Sequence, residues 1–287
     1  MKETLMSVAT PPEIVGIAES GLLKKANTPF GTTFLSAMFA GAFIALGFVF
    51  YTTSQVGAAD LPYGLAKVIG GLVFTTGLAM VVMTGADLFT STSMTLMGGV
   101  SGKLPWSRLF QHWGVVYLGN FAGSVLVAAI VFLSGAPGQA KGAWGAVAVK
   151  VAVAKVGHTP VEAFFLGLLC NFMVCMAVWL AFSGKSLVDK IFGITMPIAL
   201  FVASGFEHSV ANMFMIPLGL MLKAQGAADV MAAVGDVSTD GLTVGSFLLA
   251  NLIPVTLGNI VGGGIFVGLG MFFWHNRARQ EAAAAAK

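Results

Sequence analysis

Six uninterrupted apolar runs dominate this chain: Phe30–Tyr51, Gly64–Met97, Leu109–Leu133, Val161–Phe182, Ile191–Leu222 and Thr243–Trp274. A helix needs about 20 apolar residues to cross the hydrocarbon of a bilayer, and each run is long enough. Strands of a membrane barrel alternate apolar and polar residues over short segments; these runs are continuous. Soluble domains carry roughly 25% charged residues, whereas here 9% are charged and 57% hydrophobic. Such a chain cannot clothe a globule in water, but it can clothe one in lipid. The 37 glycines suit close packing of membrane helices. The fold class expected is an all-α membrane protein with six transmembrane helices and lipid as its surroundings.

Several functions are disfavoured. The net charge of +3 is spread along the chain without a basic cluster, so no nucleic-acid partner is expected. Cys170 and Cys175 lie five residues apart in one apolar run, a spacing that turns them away from each other on a helix and argues against a disulfide. No hydrolase, redox or nucleotide motif is present. The Gly262-Gly263-Gly264 triplet lies inside a span and lacks the strand-turn-helix setting of a dinucleotide site. Neither an enzyme activity nor a cofactor or metal is expected.

Residues 1–29 lack the compact apolar core and cleavage site of a signal peptide. From Pro12 onward Ile14, Ile17, Ala18 and Leu22 share one helical face, which predicts an amphipathic helix at the membrane interface; the alternative is a disordered leader. The membrane domain is expected over 30–275. The tail, 276–287, ends in an alanine run from Ala282 to Ala286 before Lys287 that resembles an added sequence.

Charge sets the orientation. With the N-terminus inside, the inner segments hold Lys2, Lys24, Lys25, Lys103, Arg108, Lys185, Lys190, Arg277, Arg279 and Lys287. The outer segments hold Lys67, Lys141, Lys150, Lys155 and Lys223. The excess of basic residues places both termini in the cytoplasm.

The second and fifth runs, each of roughly 33 residues, are longer than a crossing requires. Each carries an acid near its middle, in Thr84-Gly85-Ala86-Asp87 and Ser204-Gly205-Phe206-Glu207. A hydroxyl followed three residues later by a carboxylate is the pattern of a helix N-terminus. Leu118-Gly119-Asn120-Phe121-Ala122-Gly123 likewise matches Leu257-Gly258-Asn259-Ile260-Val261-Gly262. Spans 1–3, about 30–133, therefore repeat as spans 4–6, about 161–274. Three is odd, so the second copy enters from the opposite side, giving a 3+3 inverted repeat with helices 2 and 5 broken. A helix start inside a membrane leaves N–H groups that lipid cannot satisfy; where it lines a polar cavity, its dipole and free N–H groups suit an anion. The alternative is two long tilted helices with their acids merely paired.

Asp87, Glu207 and His208 are the ionisable side chains deep inside spans, where such residues are costly and usually functional. Carboxylates repel an anion, so Asp87 and Glu207 are read as caps of the half-helices, with Thr84 and Ser204. A neutral His208 can donate one hydrogen bond or share its proton; a purely structural buried histidine is the alternative. Thr90 offers a hydroxyl from the other half. Asn120, Asn259, Asn171 and Asn212 are polar groups on spans, with packing against the broken segments the favoured role. Gly119–Gly123, Gly258–Gly262 and Gly264–Gly268 are small-residue pairs suited to tight helix or subunit contacts.

Three stretches carry a resemblance: Gly85-Ala86-Asp87-Leu88-Phe89-Thr90-Ser91-Thr92, Ala203 through Pro217 around Gly205-Phe206-Glu207-His208-Ser209, and Asn251 through Gly264. They resemble the formate/nitrite transporter family, over nearly the whole chain. The resemblance implies an aquaporin-like hourglass, one pore per protomer, a homopentamer in the bacterial inner membrane, and formate or a similar small anion as substrate. It places His208 and Thr90 at the narrow centre, with Asn171 beside them. It implies apolar constrictions at Phe74, Leu78, Val174 and Phe201, with Phe89 nearby, and an outer-vestibule lysine, Lys155, that concentrates anions. It also implies an N-terminal segment that changes conformation with pH. Nitrite or hydrosulfide passage and proton-coupled formate transport stay open. A neutral-solute pore is disfavoured because no Asn-Pro-Ala tripeptide stands at either half-helix start.

Overall fold

In a computed structural model, residues 9–275 are described; the expectation for the 276–287 tail lies outside them. The described chain is helical: α1 Pro11–Ala26, α2 Phe30–Gln55, α3 Tyr63–Thr84, α4 Phe89–Thr92, α5 Leu96–Val100, α6 Trp106–Leu133, α7 Ala143–Val156, α8 Pro160–Ser183, α9 Leu187–Ala203, α10 Ser209–Gln225 and α11 Ala228–Val234. The last helix, α12, runs over Ser246–His275 and contains π-helical stretches at Ser246–Leu252 and Ile260–Leu269. Among the described residues five helices, α2, α3, α6, α8 and α12, are long and apolar enough to cross a membrane. The fifth apolar run is divided between α9 and α10, of 17 residues each. Phe39, Leu118, Phe192 and Leu249 are more than half exposed, and outward apolar surface of this kind is what lipid covers.

The second and fifth runs stop in the same way. Gly85 ends α3 at φ 73°, and Gly205 follows α9 at φ 71°, a left-handed backbone that glycine adopts without a Cβ penalty. The N–H of Ala86 donates to Val81 O at 3.0 Å, and that of Phe206 to Phe201 O at 3.0 Å. The hydroxyl-Gly-x-acid signature therefore closes the preceding helix, contrary to the expected N-terminal cap. Thr84 Oγ1 donates back to Met80 O at 2.7 Å, and Ser204 N–H donates to Leu200 O at 3.0 Å.

The small-residue pairs lie inside the protomer. A Cβ on Gly123 would collide with the Met38 carbonyl, and one on Gly262 with that of Leu168. Gly119 and Gly258 face Phe34 O and Phe164 O in the same way. Thus α6 sits on α2 as α12 sits on α8, backbone against backbone.

Two segments differ from expectation. The connection 134–160 contains α7, whose Trp144, Val149 and Ala152 are buried; its apolar run is too short to read as a span, so it passes for a loop. In α1, Ile14, Val15, Ala18 and Leu22 are buried while Ile17 is 44% exposed. The helix turns Val15 rather than Ile17 inward because it packs on the protein, against α8 and α5. Its start is fixed by a capping box in which Glu13 accepts from Thr10 N–H at 2.7 Å, and those bonds hold the Glu13 carboxyl below the usual carboxylate range.

Candidate functional site

Between the end of α3 and the start of α4, Ala86-Asp87-Leu88 runs non-helical; Phe206-Glu207-His208 does so between α9 and α10. The first free N–H of each short helix is taken by an asparagine from a long one. Phe89 N–H donates to Asn120 Oδ1 at 2.8 Å, and Ser209 N–H to Asn259 Oδ1 at 2.9 Å. Each amide is then used fully. Asn120 donates to Ala37 O at 2.8 Å and Asp87 O at 2.9 Å. Asn259 donates to Gly167 O at 2.7 Å and Glu207 O at 3.0 Å. A buried amide with three partners ties two helices and a non-helical strand together.

The carboxylates, expected as caps, instead form ion pairs; the first free N–H of each following helix is already met by Asn120 or Asn259. Lys155 Nζ lies 2.9 Å from Glu207 Oε1. Glu207 Oε2 accepts from Asn212 at 2.7 Å and Asn251 at 3.0 Å. Asp87 Oδ2 accepts from Ser36 Oγ at 2.6 Å, and Asp87 Oδ1 stands 3.4 Å from Lys25 Nζ. Lys25 also donates to Ala86 O at 2.8 Å. Lys25, Ser36 and Asn251 join the site without having been expected there. A signal existed for two of them: Lys25 stands just before Thr28-Pro29 as Lys155 stands before Thr159-Pro160, and Asn251 lies eight residues before Asn259.

His208 is itself the cap residue of α10. Its Nδ1 accepts from Ala211 N–H at 3.1 Å, so a neutral ring carries its proton on Nε2. That Nε2 lies 3.2 Å from Thr90 Oγ1. Asn171 Nδ2 donates to Thr90 O at 3.0 Å, to Ser93 Oγ at 3.3 Å and to Asn259 O at 2.6 Å. A side chain on Gly263 would occupy the position of that amide, which is why α12 must be bare there. Thus His208, Thr90 and Asn171 converge from three parts of the chain.

The aromatic rings divide into two groups. Phe201 stacks on the His208 ring at 5.9 Å and meets Phe74 edge-on at 5.8 Å. Leu78 and Val174 are buried in the same apolar core. Phe89, by contrast, packs on Tyr117 at 4.8 Å and Trp113 at 6.1 Å, both on α6.

Two cavities approach this centre. The larger, of about 380 Å³, is lined by Phe74, Lys155, Phe201, Glu207 and His208 among others. The smaller, of about 220 Å³, is lined by Lys25, Val81, Gly85, Ser91 and Thr92 among others. The larger ends on His208, the smaller on the neighbours of Thr90, and no residue lines both. The Thr90–His208 contact lies between them.

A sequence profile described as formate/nitrite transporter matches residues 12–273. The chain is 48% identical over 270 residues to the formate channel FocA of Haemophilus influenzae, covering 93% of this chain and 95% of that one. It is 47% identical over 253 residues to the formate channel FocA of Escherichia coli K12, covering 88% of each. Among solved structures, a pentameric formate channel with formate bound superposes with a TM-score of 0.80 at 44% identity, covering 85% of this chain and 96% of that chain. With five membrane-length apolar helices among the described residues, this is a multi-pass membrane protein, and it belongs to the formate/nitrite transporter family.

Proposed function

We propose that this protein is a channel that passes formate through each protomer of a homopentamer in the bacterial inner membrane, with both termini in the cytoplasm. Six spans form a 3+3 inverted repeat, an aquaporin-like hourglass in which the second and fifth helices are broken. The domain occupies 30–275, preceded by the amphipathic segment at 1–29. The names of the relatives support the substrate; the repeat is supported by the equivalent bonds that Asn120 and Asn259 each make in their own half and by the equivalent pairs Lys25–Asp87 and Lys155–Glu207.

The observation that carries the reading is the Thr90–His208 contact at 3.2 Å between two cavities. Burying an unpaired carboxylate in an apolar medium costs on the order of tens of kcal/mol in the idealised limit. Phe74, Leu78, Val174 and Phe201 offer no donor to offset it. His208 Nε2–H and the Thr90 hydroxyl are the donors at the narrow point, and Asn171 holds the backbone of Thr90 in place. Formate pauses there, hydrogen-bonded to both. It leaves as the anion or as neutral formic acid, for which the next apolar ring is a lower barrier; in the second case His208 first takes up a second proton from the aqueous cavity, releasing Ala211 N–H, and returns to its neutral form on passing a proton to formate.

Purified protein in liposomes should pass formate faster than glycerol. Preference for nitrite or hydrosulfide would move the assignment to another substrate of the same family, and flux of glycerol alone would overturn it. Single cysteines at Gly138 and Ser183 should label from opposite sides of the membrane; labelling of both from one side would overturn the topology.

A further inference from the structure

Each cavity holds two lysines, and the fold treats the two differently. In the larger cavity Lys155 is paired with Glu207 at 2.9 Å and its side chain is only 12% exposed, while Lys67 lines the same cavity without an ion pair among the described residues. In the smaller cavity Lys25 is paired with Asp87 at 3.4 Å, while Lys190 lines it, again without an ion pair among the described residues. The carboxylate next to Lys190 is already engaged: Asp189 Oδ2 accepts from the N–H groups of Lys185 at 3.1 Å and Ser186 at 2.9 Å. Lys67 Nζ stands 5.4 Å from the Tyr63 ring centroid, a contact that positions an ammonium without neutralising it.

A lysine bound to a carboxylate presents a dipole, whose field fades within a few ångströms. An unpaired lysine presents a full charge, felt over about a Debye length of ~10 Å at 0.1 M salt. We propose that Lys67 and Lys190, rather than the ion-paired Lys155 and Lys25, collect monovalent anions at the two mouths, each acting on anions that enter from its own side. The inference rests on the channel reading above and adds to it the residues that govern entry. A unit charge ~8 Å away in water enriches a monovalent anion about twofold, and the cavity walls, by focusing the field, raise that figure.

The test is the rectification of formate current through the purified pentamer in a planar bilayer, with symmetric sodium formate at low and at high ionic strength. Lys67→Gln should lower the current carried by formate entering from the Lys67 side by about twofold, and Lys190→Gln should lower the opposite current. Both shifts should vanish at high salt, and Lys67→Arg and Lys190→Arg should behave as the parent. His158, which also lines the larger cavity, is replaced by glutamine in every protein compared. Shifts of the same sign, shifts that persist in high salt, or no shift in a conducting channel would overturn the assignment. A parent that conducts nitrite or hydrosulfide but not formate, with the opposed shifts intact, would overturn the substrate and leave the two lysines in place. A parent that conducts no anion would overturn both.

Discussion

Thr90 Oγ1 and His208 Nε2, 118 residues apart in sequence, meet at 3.2 Å. The hydroxyl stands in the first turn of α4 and the imidazole caps α10, so two helix starts present their donors to one point. The same ring serves two purposes, because its Nδ1 accepts from Ala211 N–H at 3.1 Å.

That dual use separates two substitutions of His208. Asparagine is a good cap residue and can accept from Ala211 in place of Nδ1, so His208→Asn should assemble normally. Formate flux should nevertheless fall at least about tenfold, since a hydrogen bond to a charged group is worth ~1.5–3 kcal/mol. His208→Phe loses the cap as well and should lose a further ~0.5–2 kcal/mol of stability. Flux assays on assembled pentamers check this. Parent-like flux in His208→Asn would return His208 to a purely structural role.

Lys155 and Glu207 form a nearly buried pair, with side chains 12% and 3% exposed. Breaking such a pair from one side typically costs ~3–5 kcal/mol because a charge is left unpaired. Lys155→Met should therefore destabilise the protein strongly, and Glu207→Gln should do so too. The double variant should recover much of the loss. Thermal unfolding in detergent reads the cycle, and additive losses would show that the pair is not coupled.

Asn120 and Asn259 make matching sets of three hydrogen bonds. Replacing either by alanine orphans one N–H and one non-helical carbonyl in the protein interior, at ~1–3 kcal/mol each, and leaves the helical carbonyl of Ala37 or Gly167 with its backbone bond alone. Both variants should lose stability by similar amounts, and both should lose pentamer yield before any change in selectivity. A loss confined to one of them would argue against equivalent roles in the two halves.

His112 precedes Asn120 by eight residues, as Asn251 precedes Asn259. Asn251 donates to Lys155 O at 2.8 Å and to Glu207 at 3.0 Å. His112 is fully buried with neither ring nitrogen hydrogen-bonded within the described chain. His112→Asn should then raise stability by ~1 kcal/mol, as an amide there meets Asp87 and Lys25, the counterparts of the Glu207 and Lys155 that Asn251 binds. An unchanged or lower melting temperature would show that the imidazole is satisfied in the membrane-embedded protein.

Membrane helices were legible in the sequence because lipid forces every apolar run to bond its own backbone. The run lengths marked most helices, and the twin Gly-x-acid stretches marked where two of them stop. The direction of those signals was not legible: the left-handed glycines at 85 and 205 close helices, and the first free N–H of each following helix is met by an asparagine that a different helix supplies. No local pattern reveals that Asn120 reaches Phe89, because that bond exists only once α6 lies on α2. The convergence of His208, Thr90 and Asn171 belongs to the same class, being a contact between halves. Nor could the sequence say which lysine of a vestibule is neutralised. Each lysine carries the same charge in the chain, and only packing decides that Lys155 and Lys25 meet carboxylates while Lys67 and Lys190 do not. Burial and chain chemistry act locally and leave their mark on the sequence; partner choice among polar groups is settled by tertiary distance.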